Sequence, residues 1–292
     1  MKKKRYFSRT VCFILCAVFA LLFLLPTVLT ITNSFMTQSE ITANYGQVFG
    51  SNGGYISKTI NLKFIPDKVT FAQYFTVLLK SPDYLIKFWN SVILTVPIVL
   101  AQLMVASVAA YGFTRWRGKI RDSLFFFYVI LMLMPYQVTL VPNYLVSDWL
   151  GLLNTRWAII LPGVFSTFPV FIMERGFDTV PREVLESASI DGANQWQRFW
   201  RIGIPLGIPG LISALTLGFL DAWNAIEQPM TFLESPQYWP LSLFFTDPAN
   251  LDTKQLGLAM AASLWMLLPS ILAFRFGQTY LEAGLTKGAV KG

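Results

Sequence analysis

Six stretches of this chain stay apolar for about 20 residues at a time, the length of helix that crosses a hydrocarbon layer about 30 Å thick. They fall at roughly 11–33, 88–112, 123–147, 157–174, 204–226 and 257–276. The expected fold is therefore all-α, a polytopic membrane protein with six transmembrane helices in a single domain over 1–292. Composition agrees, with 54% hydrophobic and 13% charged residues among 292 and a mean hydropathy of +0.51. The first run follows Lys2, Lys3, Lys4, Arg5 and Arg9. A signal peptide has such a start, but this run continues past a usual apolar region and lacks a small-residue cleavage pattern, so a retained first helix is expected.

The net charge of +7 points to topology and gives no reason to expect a nucleic-acid partner, because the basic residues cluster beside apolar runs. With the N-terminus inside, the cytoplasmic segments hold the N-terminal cluster, then Arg115, Arg117, Lys119 and Arg121, then Arg175, Arg182, Arg198 and Arg201, and finally Arg275, Lys287 and Lys291. The rest, Lys58, Lys63, Lys68, Lys80, Lys87, Arg156 and Lys254, are spread thinly over longer outer segments. Both termini and the segment at about 179–205 are thus expected in the cytoplasm.

That segment reads as a polar helix-turn-helix. Pro181 suits a first helical turn, Asp191 and Gly192 break the helix, and Trp196, Phe199, Trp200 and Gly203 then recur at i, i+3, i+4, i+7. From the residues alone, an interfacial helix with its Trp rings among lipid headgroups and Arg198 and Arg201 on phosphates is an open alternative. At Gly192 a Cβ is expected to be penalised.

Glu186, a glycine six residues on at Gly192, Ile202 sixteen on, and the closing pair Ile204 and Pro205 resemble the EAA loop of ABC importer permeases, with Ala188 as its third letter. Ser187 departs from the second. Further matches span the chain: Phe88 to Ser91, Ala109 to Arg115, Trp223 with Asn224, and the ending Gly284, Leu285, Thr286, Lys287, Gly288, Ala289, Val290, Lys291, Gly292. Together they resemble the MalG-like permease subunits of maltose-type carbohydrate importers. The resemblance implies a type I ABC importer permease (MetI-like) fold and a role in moving a sugar or oligosaccharide inward. It also implies a MalF-like second permease, two ABC ATPase subunits carrying ATP and Mg, an extracytoplasmic solute-binding protein, and a bacterial-type cell membrane. Glu186, Ala188, Asp191, Gly192, Ala193, Trp196, Phe199, Trp200, Ile202 and Pro205 would form the ATPase-coupling surface, with the three aromatics filling an apolar groove. Gly284, Leu285, Thr286, Gly288 and Lys291 would reach the ATPase interface, although by composition alone the tail also suits a frayed end. An ABC permease for another solute class, and a stand-alone secondary transporter, are the alternatives.

The chain has no phosphate-binding loop of the Gly-x-x-x-x-Gly-Lys-Ser/Thr kind, so ATP hydrolysis is expected on a partner, with no cofactor or metal on this chain. With no His, a Ser triad and a Cys/His zinc site are both excluded. Cys12 and Cys16, one turn apart in the first run, are expected to be small apolar fillers.

Polar residues inside spans are costly in lipid and usually face protein or a watery path. Asn90, Tyr136, Gln137, Asp221, Trp223 and Asn224 are the candidate translocation path, with Gln102 and Glu227 beside them and Tyr136 and Trp223 offering flat faces to sugar rings. Interhelical hydrogen bonding is the plain alternative. Pro97, Pro135, Pro142, Pro162, Pro169, Pro209 and Pro269 allow kinks. Residues 34–87 read as a small outer cap, and Gln228 to Gln255 as a loop that either probes a docked binding protein or packs on the permease as a lid.

Overall fold

The computed structural model describes residues 2–45, 62–246 and 256–289. All regular structure among them is helical. In chain order the helices are α1 (Lys2–Ser34), α2 (Gln38–Tyr45), α3 (Ala72–Phe75), α4 (Pro82–Arg115), α5 (Lys119–Leu133), α6 (Tyr136–Trp149), α7 (Trp157–Val164) and α8 (Thr167–Asp178). They are followed by α9 (Arg182–Ile190), α10 (Gln195–Arg198), α11 (Ile204–Leu206), α12 (Ile208–Trp223), α13 (Glu227–Phe232) and α14 (Leu256–Ala289).

Four stretches are long and apolar enough to cross a membrane: α1, α4, the stretch Trp157–Asp178 made by α7 and α8, and α14. Two more become spans when each bent pair is taken as one. The run expected as a single third span, 123–147, is two helices, α5 and α6, meeting at 99°. The cause is local. Met134 is extended (φ −68°, ψ 129°) because the following proline disfavours the α region, and Pro135 (ψ 140°) has no N–H to continue the ladder. The fifth run also departs from expectation. Residues 195–206 form one helical stretch that turns by 73° at Gly207 into α12, and α12 ends at Trp223. Pro97, by contrast, lies inside the unbroken α4, and Pro269 inside α14.

The residues group into two compact units, Met1–Leu85 with Phe244–Leu267, and Ile86–Leu243 with Leu268–Gly292. In the first, Met36, Ile41 and Tyr45 are buried. Its polar groups are tied across the sequence: Asn33 Nδ2 donates to the Tyr45 hydroxyl (2.6 Å), the Ser34 and Tyr74 hydroxyls share a bond (2.6 Å), and Tyr84 donates to the Ala262 carbonyl (3.0 Å). Glu40 accepts from the Asp67 backbone N–H (2.8 Å) and pairs with Lys63 at 3.0 Å, while Lys63 also meets Asp67.

The second unit is built where α4, α8 and α12 meet. Val99, Leu103, Ala106 and Ala110 of α4 pack with Val170, Met173 and Phe177 of α8 and with Ala214 of α12. Lipid tails are as apolar as these side chains, so close van der Waals packing between small residues holds such helices together. Gly176 and Gly210 permit the α8–α12 approach. A second cluster joins Leu94 and Ile98 to Ala158, Ile159 and Ile160 of α7 and to Phe232 and Leu233. Beyond α4, Gly118 adopts φ 136° and the chain reverses. Arg121 then fastens the corner, donating to the Phe113 carbonyl (2.8 Å) and to the buried Glu174 (2.6 Å). Lys87, grouped by sequence with the outer lysines, is fully buried on α4.

Candidate functional site

The segment 181–206 is a designed corner. Pro181 caps α9 in extended conformation, and Leu185 alone of that helix is buried. At its end the Ala193 N–H donates to the Ala188 carbonyl (2.9 Å) and the Gly192 N–H to Ser189 (3.1 Å), the paired bonds of a Schellman motif. This requires the left-handed φ of 84° at Gly192, where an L side chain is strained. Asn194 then starts α10 with a capping box. Its Oδ1 accepts from the Gln197 N–H (2.8 Å), and Gln197 Oε1 accepts from the Asn194 N–H (2.9 Å). The Asn-x-x-Gln spacing carried that signal in the sequence, and it marks the corner as well as Gly192 does.

From Phe199 to Gly203 the helix widens to π geometry. Pro205 has no N–H to give to a residue four before it, and the widened turn, in which the Ile204 N–H reaches the Phe199 carbonyl, accommodates that loss. The consequence corrects one expectation. Phe199 is 3% exposed, its ring 5.1 Å from Tyr111, so it anchors the corner to its own chain and is not available to a foreign groove. Trp196 and Trp200 are 62% and 60% exposed and are the outward rings. Ile190, absent from the expected set, is 87% exposed and adds an apolar group. It sits roughly 140° around α9 from Leu185 at about 100° per residue, off the face that periodicity picks out. Glu186, Asp191 and Pro205 are exposed, Ala188, Ala193 and Ile202 half-buried, and Glu186 makes no ion pair among the described residues. Of the tail residues, Gly284, Leu285, Thr286 and Gly288 lie on the α14 backbone, which continues to Ala289. Lys291 lies outside the described residues.

The candidate path residues divide. Asn90, 2% exposed, is a tether: Nδ2 donates to the Gln237 carbonyl (2.7 Å) and to that of Trp239 (3.2 Å), while Oδ1 accepts from Arg156 (3.0 Å). Trp223 is also buried, its ring stacked on Phe219 (5.6 Å) and edge-on to Phe88 (5.8 Å). Both are spent on the chain's own packing, which corrects their expected place on a path. The other four stay available. Gln137 Nε2 donates to Glu227 Oε1 (2.8 Å), Tyr136 lies within electrostatic reach of Glu227 and Asp221, and Asn224 donates to Leu220 (2.7 Å). The start of α6, the end of α12 and the start of α13 thus bring Tyr136, Gln137, Asp221 and Glu227 to one place. Gln102, in turn, fastens α4 to the Gly163 carbonyl of α7 (3.3 Å).

Residues 102–287 match the family described as binding-protein-dependent transport system inner membrane component. The chain belongs to that family. A probable ABC transporter permease of Pyrococcus horikoshii is 35% identical over 204 residues, 69% of this chain and 74% of that one. The diacetylchitobiose uptake system permease DasC of Streptomyces coelicolor is 30% identical, covering 85% of this permease and 90% of its own length. The arabinooligosaccharides transport system permease AraQ of Halalkalibacterium halodurans is 28% identical over 80% and 84%. In fold, the permease is similar to a chain of a bacterial ABC transporter involved in import of the acidic polysaccharide alginate, with TM-score 0.77, 22% identity and coverage of 96% and 98%. Family and apolar helices together make this a multi-pass membrane permease with a MetI-like all-α fold.

Proposed function

We propose that this permease is one of two membrane subunits of an ATP-driven, binding-protein-dependent importer of a sugar or oligosaccharide. The 1–292 chain works as one transmembrane domain beside a MalF-like second permease, with two ABC ATPase subunits beneath and a solute-binding protein above. ATP and Mg are bound by those ATPases. Both termini and the corner at 181–206 face the cytoplasm. The relatives' substrates, arabinooligosaccharides and diacetylchitobiose, support a carbohydrate cargo.

One observation carries the coupling role: the corner is rigidly fastened from within by Phe199, the Schellman motif and the capping box, yet turns Ile190, Trp196 and Trp200 outward. A lone interfacial helix needs no such internal bracing. Trp196 and Trp200 fill an apolar groove on an ATPase subunit, Glu186 meets a basic group there, and the end of α14 with Lys291 approaches the same subunit. Tyr136, Gln137, Asp221 and Asn224 line part of the sugar's route.

The test is purification of the tagged chain from native membranes in mild detergent, with identification of what copurifies and an ATPase assay. A second permease and an ATPase are the expected companions. A chain that comes out alone, yet transports in liposomes without ATP, would overturn the reading.

A further inference from the structure

A cavity of about 490 Å³ opens where α4 gives way to α5, beside the end of α8. Each of these helices passes there from an apolar run into charge. Phe113 is followed by Arg115 and Arg117, Leu124 is preceded by Lys119 and Arg121, and Met173 is followed by Glu174 and Arg175. In a multi-pass membrane protein such a border marks the level of the lipid headgroups. Trp116, which lines the cavity and is 49% exposed, is a side chain enriched at that level.

Among the described residues four arginines line the cavity, Arg117, Arg121, Arg175 and Arg182, with Asp122, Glu174 and Asp178 as the acids. The charges are not shared evenly. Arg121 takes up both Glu174 (2.6 Å) and Asp122 (3.1 Å). Arg175 Nε stands 3.9 Å from the second oxygen of Glu174, beyond hydrogen-bonding reach, and the Arg175 side chain is 66% exposed. It is nonetheless held in place. Its guanidinium lies over the Phe171 ring at 5.3 Å, that of Arg121 over the Phe125 ring at 4.8 Å, and the two rings stack on each other. Arg117 and Arg182 are exposed. With Glu174 and Asp122 engaged by Arg121, the cavity presents Arg117, Arg175 and Arg182 against Asp178.

This charge, at this level, selects the ligand. Guanidinium groups bind phosphate oxygens through paired, charge-assisted hydrogen bonds, and basic pockets between membrane helices hold anionic headgroups. The apolar part of such a molecule finds its place beside the cavity. Ile120, Leu124, Phe127 and Leu131 are exposed and recur at i, i+4, i+7, i+11, one stripe that leads along α5 away from the arginines. We propose that the cavity binds the phosphate of an anionic phospholipid, with an acyl chain laid along this stripe of α5. A zwitterionic lipid brings a cation to the same arginines and binds less well. The inference needs only membrane insertion and stands apart from the importer reading.

The experiment is native mass spectrometry of the full chain with its copurifying partners in mild detergent, titrated with phosphatidylglycerol and, separately, with phosphatidylcholine. Wild type is expected to retain phosphatidylglycerol preferentially. Arg117→Gln, Arg175→Gln and Arg182→Gln should each weaken that retention about five-fold, what one basic residue is worth beside an anionic lipid surface. All three side chains are exposed, so melting temperatures should stay at the wild-type value. Lys119→Gln is the control, because Lys119 is an exposed cation at the same level but is not part of the cavity lining; it should change retention least. Equal retention of the two lipids by wild type, or equal losses from Lys119→Gln and Arg175→Gln, overturns the proposal. Inorganic phosphate, added at matched ionic strength, distinguishes the source of the anion. It should leave the lipid in place, and displacement by it assigns the cavity to free phosphate and overturns the lipid. Recovery of an ATPase in the same preparations reads the importer separately, and its absence leaves the lipid site standing.

Discussion

Gly176 and Gly210 face each other so closely that a Cβ built on either would stand 2.8 Å from the other's Cα. No rotamer change relieves such a contact, since both sides are backbone. Gly210→Ala is therefore expected to separate α8 from α12 and cost about 1–3 kcal/mol, as overpacking does. An unfolding titration in detergent measures it, and a loss confined to a few tenths would mean the helices yield freely.

The aromatic residues of the corner should separate by role. Phe199→Ala is expected to cost about 3–5 kcal/mol of permease stability. Trp200→Ala and Trp196→Ala should leave the melting temperature unchanged while each weakens ATPase capture by about 2 kcal/mol, the worth of a good interface anchor. Pull-down titrations beside thermal scans distinguish the two groups.

Gly192→Asp places a Cβ at φ 84° and should strain the turn by about 1–2 kcal/mol. The permease is expected to insert normally and to recover little ATPase activity on affinity purification. Full recovery would show that the corner tolerates another geometry.

Asn90→Ala removes the tether to the 237–239 carbonyls and leaves the Arg156 guanidinium without that acceptor. A loss of about 2–3 kcal/mol is expected, with substrate preference unchanged, because Asn90 is buried in structure rather than open to a path. Competition uptake assays test the second half of that statement.

Acid should loosen the segment near Lys63. The Asp67 N–H and, next, Lys63 hold the Glu40 carboxyl below the usual carboxylate range. A depressed folded-state value means the stabilisation is complete above the ordinary carboxylate pKa and disappears as pH falls through the lowered one. Hydrogen exchange at residues 62–67, corrected for intrinsic rates, should accelerate over that acidic window. Glu40→Gln should remove the dependence.

Much of this was legible in the sequence, and the failures share a cause. Apolar length alone located α1, α4 and α14, because hydrocarbon thickness sets a helix length that composition reports directly. It could not report direction, so a run that stays apolar through Met134 and Pro135 read as one span although its backbone turns there. Gly207 was missed likewise: its necessity comes from the Phe177 ring, 2.5 Å from where a Cβ would lie, a neighbour far away in sequence. At the corner, spacing identified the aromatics and Gly192, since local geometry governs both. Which aromatic turns inward depends on Tyr111 and Phe177, and which polar residue is spent on packing depends, for Asn90, on carbonyls about 150 positions downstream.

The widened turn at Phe199–Gly203 joins two neighbours with opposite duties, Trp200 on the outside and Phe199 seated against rings from α4 and α8. Together they act like a handle and its spindle. Torque applied at the outer ring has no slack loop in which to dissipate, and it arrives within one residue at the bearing where three helices meet.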